Sequence, residues 1–456
     1  MKAIQSIQPI QRFYLLSAAL LVALWFLADA AWWGSSNFFV WRASYTNLTG
    51  LLGMAAMSIG MVLAVRPRRA EPLLGGLDKM YRLHKWLGIS GLVLAVLHWA
   101  LTKSPRYLID WGWLVRPVRG PRPPVSDPLQ RFLLDQRHLA ESIGEYAFYA
   151  LVLLLALALI KRFPYKHFFT THRWLPLVYL ALVLHSVVLM PFGYWSTALG
   201  PLMAVLMLLG SAAALVSLLR RVGVKRRLHG VIEAVEYHAD SQVLRVDLTL
   251  ADGWSGHQAG QFAFVTFEGQ REGAHPYTIA SAWQGDGRLF FLIKATGDHT
   301  RTLPASLRPG LRCEVEGPYG RFVFDSARPR QIWVAGGIGI TPFVARLQAL
   351  AAQTAQTGHR AVDQAIDLFW STRVIEAEPL RRLHEDAARA NVRLHVLVDE
   401  RDGQLDTDRI AALVPGWAES DVWFCGPSGF GRALRQGFSR RGLGVERFHQ
   451  ELFEMR

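Results

Sequence analysis

Cysteine is scarce in this sequence, which has only Cys313 and Cys425 in 456 residues. Two thiols exclude a disulfide framework, and they are too few for a cysteine-ligated zinc or iron–sulfur site. Internal repeats and low-complexity tracts are also absent from the sequence. Any metal centre in this protein must therefore use ligands other than cysteine.

Long apolar runs are absent after Leu219, whereas they dominate the chain before it. Six stretches there are long and apolar enough to cross a bilayer, for which roughly 20 residues are needed. The predicted spans are Phe13–Trp33, Leu48–Val65, Tyr81–Thr102, Ser142–Ile160, Phe168–Met190 and Thr197–Leu219. The sequence therefore predicts a membrane half followed by a globular half. The segment Phe13–Leu27 also fits a cleavable signal peptide, and the sequence leaves its removal open.

The formal net charge of +14 suggests nucleic acid as a partner, but the basic residues lie beside the apolar runs. The positive-inside rule explains that position better, so we predict contact with a lipid bilayer and no nucleic acid. The three groups are Arg66, Arg68, Arg69, Lys79 and Arg82; Lys161, Arg162, Lys166 and Arg173; and Arg220, Arg221, Lys225, Arg226 and Arg227. They predict cytoplasmic termini. The basic, proline-rich loop 103–138 argues the other way, but charge in long loops counts for less.

Four histidines lie inside the predicted spans, where an unpaired imidazole is costly. Any one of them can be a hydrogen-bonded packing residue, but they form two matched pairs: His84 and His98 on the third span, His172 and His185 on the fifth. The two histidines are 14 residues apart on the third span and 13 apart on the fifth, which corresponds to about 21 Å and 19.5 Å of helix rise. The histidines of the two spans can therefore lie at the same two depths in the membrane. His84 and His172 (the inner pair) and His98 and His185 (the outer pair) are therefore predicted to ligate two b-type haems.

The angular positions of the histidines around their helices fit this pairing less well than their depths in the membrane do. On a straight helix His185 would lie roughly 140° around from His172. Pro176 interrupts that segment, but it does not define the missing rotation. His167 is the rival ligand, because it lies on the same helix face as His185. However, the helix rise from His167 to His185 is about 27 Å, which is longer than the rise between the two histidines of the third span. We therefore prefer His172, and give His167 and His138 a structural interpretation.

After the linker Arg220–Arg227 the pattern changes to alternating segments such as Val243–Leu250 and Gln261–Phe267, typical of a small antiparallel β-barrel. From Gln331 onward a strand, a glycine-rich turn, a helix and a strand follow each other, which indicates a parallel α/β domain. We predict three domains: a six-helix transmembrane bundle (1–222), a β-barrel FAD domain (223–327) and an α/β nucleotide-binding domain (328–456).

Two segments of the barrel region carry donors that suit a flavin pyrophosphate. Hydroxyls, backbone amides and a lysine are suitable groups, and Tyr277 can cover part of the flavin ring. The predicted FAD-binding residues are His275, Pro276, Tyr277, Thr278, Ser281, Lys294 and Thr300. Each stretch alone is also compatible with ordinary barrel sequence.

A glycine-rich turn joins a strand to a helix at Gly336–Pro342, where amides at the helix start can bind the phosphates of a nicotinamide cofactor. Such a turn is a weak signal alone, but Cys425-Gly426-Pro427 follows another predicted strand about 90 residues later. Arg373 ends a strand and can pair with a 2′-phosphate, which favours NADPH over NADH. The predicted residues in this domain are Gly336, Gly337, Gly339, Thr341, Arg373, Cys425 and Gly426.

Together these motifs resemble the ferric reductase and NADPH oxidase superfamily over nearly the whole chain. The resemblance implies FAD binding at His275–Thr278, where Tyr277 replaces the more usual Phe, and NADPH phosphates at the glycine-rich turn. It further implies that Cys425 lies by the nicotinamide and that Phe453, in the terminal Phe453-Glu-Met-Arg456, stacks on the isoalloxazine. We expect these two residues to act at the reacting rings. Thr102 stands where animal oxidases have a further histidine, which argues against superoxide production.

The expected function is that of a transmembrane flavohaem oxidoreductase. It would move electrons from cytoplasmic NAD(P)H through FAD and two haems to an external acceptor, such as ferric iron or another metal chelate, in a bacterial inner membrane. Alternatives are an oxidase that reduces O₂ and a membrane-anchored reductase that feeds a protein partner. A transporter with a regulatory nucleotide domain is the least favoured. The sequence leaves the acceptor and the oligomeric state open.

Overall fold

The computed structural model of the chain describes residues 9–30, 32–115, 125–160, 162–163, 165–270, 273–357, 359 and 362–451. The chain divides into two compact units, one formed chiefly by residues up to 222 and the other chiefly by residues from 223 onward. Phe453 lies outside the described residues, as do Lys161 and part of the basic loop 103–138.

The first unit is helical. Its helices are α1 (Pro9–Ala28), α2 (Phe38–Ala64), α3 (Ala70–Leu74), α4 (Leu77–Asp110), α5 (Pro128–Asp135), α6 (Arg137–Leu159), α7 (Tyr165–His172), α8 (Leu175–Leu189) and α9 (Leu199–Leu218). Six helical segments in the described residues are long and apolar enough to span a membrane. The predicted six-span architecture is therefore confirmed.

Two spans are longer than the sequence predicts. Helix α2 begins at Phe38 rather than near Leu48, because the side chain of Asn37 caps it by accepting a hydrogen bond from the Phe39 amide (2.8 Å). Helix α4 continues to Asp110 rather than ending near Thr102. The hydropathy pattern ends where the apolar residues end, whereas a helix can continue through polar residues beyond the hydrocarbon.

The fifth span is interrupted. Helix α7 ends at His172, a turn follows at residues 173–174, and α8 begins at Leu175 with Pro176 in its first turn. Proline is tolerated at that position because the amide it lacks would have no partner there. The break explains why the rotation between His172 and His185 did not follow from a straight helix.

Helices α2, α8 and α9 pack tightly in the bundle. The Tyr179 hydroxyl hydrogen-bonds with the Ser58 hydroxyl (2.9 Å) and both side chains are buried. A Cβ at Gly210 would overlap the Tyr179 ring and hydroxyl. Small residues thus let these helices approach closely, as is typical of membrane bundles.

The second unit begins with an antiparallel sheet. Its strands are β1 (Arg227–His238), β2 (Val243–Leu250), β3 (Phe262–Phe267), β4 (His275–Thr278), β5 (Arg288–Lys294) and β6 (Arg312–Tyr319), with helix α10 (Asp298–Ser306) before β6. The strand order is β4-β3-β6-β1-β2-β5, and an isolated bridge between Ile279 and Phe291 links the two edges. The residues His275–Thr278 thus form an edge strand of this sheet, next to β3.

A parallel sheet follows, with strands β7 (Arg330–Gly336), β8 (Ala365–Thr372), β9 (Arg393–Val398), β10 (Ser420–Cys425) and β11 (Phe448–Gln450). Their order is β11-β10-β7-β8-β9. The helices are α11 (Thr341–Thr357), α12 (Ala377–Arg389), α13 (Asp399–Asp402), α14 (Thr407–Leu413) and α15 (Ser428–Arg440). The predicted α/β architecture is confirmed, and β7 lies beside both β8 and β10. Consequently the turns after these three strands meet at one edge, where ligands bind in open α/β sheets.

Candidate functional site

The membrane unit brings the four histidines together as two pairs. The ring centres of His84 and His172 are 6.1 Å apart, with an angle of 71° between the ring planes. Those of His98 and His185 are 6.2 Å apart, with an angle of 81°. In each pair one ring comes from α4, and the other comes from the interrupted span formed by α7 and α8.

Three of the four imidazoles are fixed by a backbone carbonyl. His84 Nδ1 donates to the Gly60 carbonyl (2.9 Å), His98 Nδ1 to that of Thr46 (2.9 Å), and His185 Nδ1 to that of Ala140 (2.8 Å). A carbonyl oxygen can only accept, so these contacts assign the proton to Nδ1. They leave the lone pair of Nε2 available, which is the arrangement of a metal-ligating histidine.

Glycines make room for these rings. A Cβ at Gly144 of α6 would overlap the His185 ring, and one at Gly50 of α2 would lie 3.2 Å from His98 Nδ1. Gly60, whose carbonyl accepts from His84, also lies against that ring. Sequence reasoning missed these glycines, although small residues within apolar spans are a recognised sign of close contact.

The ring separations leave room for one metal ion between the two imidazoles of each pair, since metal–nitrogen bonds are roughly 2.0 Å long. The two histidines of each pair would then hold that ion. No cluster of three or more His, Cys, Asp or Glu side chains suited to a metal ion occurs among the described residues. Each level therefore offers two imidazoles, and a porphyrin, which brings its own equatorial nitrogens, needs no more than two.

The rival histidines do not join either pair. His167 is exposed and lies beside Phe163, with ring centres 6.1 Å apart. His138 is also exposed, near the start of α6. The preference for His172 over His167 is consistent with this geometry.

The flavin motif lies on β4 and the start of α10. The ring of His275 stacks on that of His299 with centres 3.7 Å apart, and the Tyr277 ring packs against the sheet core near Phe291. His299 was missed by sequence reasoning, although it belongs to the same segment as Thr300. Lys294 ends β5, opposite Val243 in the β2 pairing.

Two predicted hydroxyls also serve the fold. Ser281 Oγ is buried and accepts from the Phe290 amide (3.2 Å). Thr300 Oγ1 accepts from the Gly297 amide (3.0 Å) at the start of α10. Thr278 is buried in β4. A structural role alone therefore accounts for part of this residue set.

The glycine-rich turn follows β7, as the sequence predicts. Gly336 ends the strand, residues Gly337–Ile340 form a 3₁₀ turn, and Thr341 begins α11 with its hydroxyl donating to the Ile338 carbonyl (2.6 Å). Gly337 has φ = +55°, in the left-handed region that favours glycine. The amides at this helix start are available for phosphate binding.

The turn after β10 lies directly against this one. A Cβ at Gly339 would overlap the Cys425 carbonyl, and one at Gly426 would lie 2.9 Å from the Gly336 Cα. Gly336 also has no room for a side chain, because a Cβ there would lie 2.7 Å from Pro427 Cδ. The glycines therefore allow close contact between the two turns.

Neighbouring groups complete this edge. Trp370 Nε1, near the end of β8, donates to the Gly337 carbonyl (2.9 Å), a contact that the sequence did not indicate. Arg373 follows β8 and is exposed. The Ala282 amide donates to Gln348 Oε1 of α11 (3.4 Å), so the flavin segment is joined to the nucleotide helix.

Cys425 is fully buried at the end of β10. Burial raises the pKa of its thiol well above the usual value, and the charge of Glu451 raises it further. The thiol is therefore neutral at physiological pH, which argues against the role of a nucleophile. Phe453 lies outside the described residues, so its predicted role stays a prediction.

A six-span bundle with paired histidines, followed by an antiparallel sheet and a parallel α/β domain, defines a membrane-bound redox protein. The description "Ferric reductase like transmembrane component" matches residues 49–183, and "Oxidoreductase FAD-binding domain" matches residues 230–324. These two matches confirm the predicted two-module architecture, a ferric reductase-like transmembrane domain followed by an oxidoreductase FAD-binding domain. The chain is therefore an integral membrane protein that carries an FAD-binding module.

Similar proteins match part of the chain. An NADPH oxidoreductase of Mycobacterium tuberculosis is 28% identical over 242 residues, which cover 50% of this chain and 60% of that protein. The ferredoxin reductase component of a 3-ketosteroid-9-alpha-monooxygenase of the same species is 27% identical over 205 residues, 43% of this chain and 54% of that protein. The chain thus spans under two thirds of the length of these relatives.

Solved structures also resemble part of the chain. They include a cytochrome P450 reductase of Amycolatopsis (TM-score 0.43, 25% identity, 50% of this chain and 70% of that chain). Another is the FAD/NAD-binding domain of a nitric oxide dioxygenase from Vibrio cholerae (TM-score 0.42, 21% identity, 50% and 98%). TM-scores of this size carry no argument about function.

Proposed function

We propose that the chain is a transmembrane flavohaem reductase, which takes electrons from NAD(P)H through FAD and two bis-histidine haems to an acceptor across the membrane, such as a ferric chelate. The observation that carries the proposal is the pair of imidazole pairs, 6.1 Å and 6.2 Å between ring centres, on the same two spans. One such pair can arise from packing, whereas two at matched depth indicate a transmembrane route.

The histidines would hold the haems at two levels, His84 with His172 and His98 with His185. When bound, haem supplies a one-electron redox centre. The carbonyl contacts of Gly60, Thr46 and Ala140 orient three of the rings and fix their protons on Nδ1. These residues bind and orient, and no side-chain acid or nucleophile is required.

In the soluble unit the chain's residues bind and place cofactors. FAD supplies the conversion of a two-electron donor into single electrons. His275, Tyr277 and Thr278 would line its site, and the amides from Gly337 to Thr341 would bind the phosphates of NAD(P)H. Exposed Arg373 is free to pair with a 2′-phosphate, which supports NADPH as the donor. The buried neutral Cys425 would pack beside the nicotinamide, with Phe453 proposed to stack on the flavin.

The proposed orientation puts the FAD and nucleotide domains in the cytoplasm of a bacterium. Basic residues flank the ends of the spans on that side, including Arg82 in α4 and Arg220 after α9. The positive-inside rule supports this orientation. The acceptor would then be reduced on the outside.

The proposal is tested with the full chain purified in detergent and reconstituted in liposomes. Haem and FAD per chain are measured for the wild type, His98→Ala, His172→Ala and the control His138→Ala. We expect two haems in the wild type and control, one in each of the other variants, and FAD bound in all. NADPH-driven reduction of a ferric chelate should fall to near background in the two ligand variants. Unchanged haem content in both would overturn the proposal.

Oxygen is a less favoured acceptor. Thr102, whose hydroxyl donates to the His98 carbonyl (2.8 Å), occupies the position one turn after His98. It offers no imidazole next to the outer pair. Parallel assays with a ferric chelate and with O₂ distinguish the two reactions, and faster turnover with O₂ would reverse this preference.

A reductase that feeds a protein partner is the second candidate. It is favoured by the ferredoxin reductase component of a monooxygenase among the relatives, which matches 43% of this chain. In that case the histidines would be structural, and the purified chain would oxidise NADPH while binding no haem. The haem measurement above therefore separates the two candidates.

A further inference from the structure

The four membrane histidines are not equally fixed. His84, His98 and His185 each donate Nδ1–H to a backbone carbonyl at 2.8–2.9 Å. Nδ1 of His172 is buried and has no hydrogen-bond partner in the described part of the chain. Its proton is therefore not assigned to one nitrogen, and its ring is not oriented by a second hydrogen bond.

The backbone at His172 is also different. His84, His98 and His185 lie within α4 and α8, whereas His172 is the last residue of the short helix α7. The turn at residues 173–174 follows immediately, closed by the Trp174 amide donating to the Thr171 carbonyl (3.1 Å). Residues at the ends of elements are those that absorb hinge motions.

Ring contacts give His172 its remaining support. Phe168, one turn earlier on α7, stacks on it with ring centres 5.0 Å apart and an angle of 29°. The other ring nearby is its partner His84. Phe168 lies on α7 itself, so this contact restrains the His172 ring without tying it to another helix.

We propose that His172 is the displaceable ligand of the four, so that the inner pair admits a small uncharged ligand at the metal while the outer pair does not. This inference rests on the proposed function, since it assumes that haem is bound. In the exchange, the bond from the iron to the His172 nitrogen breaks and a bond to the incoming molecule forms. The iron remains ferrous and no electron moves.

Carbon monoxide is the probe, because it binds ferrous haem only where an axial position opens. The purified full chain is reduced with dithionite and titrated, and the haem that forms a CO complex is counted by difference absorption. We expect half of the wild-type haem to bind CO. Binding by neither haem or by both would overturn the inference. A wild type without any Soret absorption would instead overturn the proposed function.

Variants assign the reactive level. In His98→Ala, expected to keep only the inner haem, all remaining haem should bind CO; in His84→Ala, expected to keep only the outer haem, none should. The opposite assignment would contradict the inference. If either variant does not fold, the next pair of variants carries the assignment.

Phe168→Leu removes the stacked ring and should lower the CO concentration for half-saturation about threefold to tenfold, as expected for the loss of one aromatic contact. Phe169→Leu is the matched control, because Phe169 is exposed on the same helix and should leave the titration unchanged. Equal effects of the two substitutions, or none from Phe168→Leu, would count against His172 as the displaceable ligand.

Discussion

The membrane unit and the soluble unit build their sites from different parts of the chain. In the membrane unit the candidate ligands are side chains on long helices, and glycines beside them provide the space. In the soluble unit the candidate groups are mostly backbone amides in turns at strand ends, and glycines there allow two turns to touch. A methyl group added in the first unit should therefore displace a ligand, whereas one added in the second should displace a backbone.

The largest effect is expected for Gly144→Ala. Its Cβ would overlap the His185 ring, so the ring must move from its contact with the Ala140 carbonyl. We expect loss of the outer haem, with FAD retained and turnover reduced by roughly 100-fold or more, the scale of an ångström misplacement. Gly193→Ala is the control, since Gly193 lies outside the helices that carry the histidines and a Cβ there meets nothing within 4 Å. If Gly144→Ala kept both haems, the added methyl group would not have displaced a ligand, which would contradict the account of the membrane unit.

Gly339→Ala should be the largest effect in the soluble unit. The added methyl would overlap the Cys425 carbonyl and separate the two turns. We expect kcat/KM for NADPH to fall by about 100-fold while both haems remain. Gly429→Ala serves as the control, because its nearest neighbour would be 3.9 Å away. If Gly339→Ala also lost haem, a substitution in the soluble unit would have changed haem binding in the membrane unit. The two sites would then not be independent.

Arg373→Ala tests a side chain in the soluble unit, where most of the candidate binding groups are backbone amides. Loss of a charge-assisted contact of about 1.5–3 kcal/mol should raise KM for NADPH roughly tenfold to 100-fold, with little change for NADH. Arg389→Ala removes an exposed arginine of α12 and should change neither value. Steady-state kinetics with both donors check the result, and equal losses with NADPH and NADH would remove Arg373 from the 2′-phosphate site.

The smallest effect is expected for Trp370→Phe. The substitution keeps an aromatic ring and removes only the Nε1–H that donates to the Gly337 carbonyl. A single neutral hydrogen bond contributes about 1 kcal/mol, so KM for NADPH should rise about fivefold. Haem content is measured alongside and should stay constant. A larger effect than that of Gly339→Ala would reverse the order proposed for this turn.

Periodicity and spacing were sufficient for the architecture. Apolar runs predicted the six spans, and alternation predicted strands such as β2 and β3, because both signals depend on burial of regular faces. The histidine pairs followed from matched depth along helices. Their rotation did not, since the break at residues 173–174 depends on how α7 and α8 pack and not on residue spacing.

Contacts between distant segments were not predictable. Nothing near Gly144 in the sequence indicates His185, and nothing near Trp370 indicates the Gly337 carbonyl. The start of α2 was also not predicted. The cap formed by Asn37 lets the helix begin before a stretch of mixed polar and apolar residues that the hydropathy pattern excluded from the span. Each of these features depends on tertiary packing, which local patterns do not encode.

The most direct test is the reduced-minus-oxidised absorption spectrum of the purified full chain, with haem and flavin quantified on the same sample. The account predicts a low-spin haem spectrum with a strong Soret band and two haems for each FAD. A spectrum of flavin alone, from folded protein that still oxidises NADPH, would contradict it.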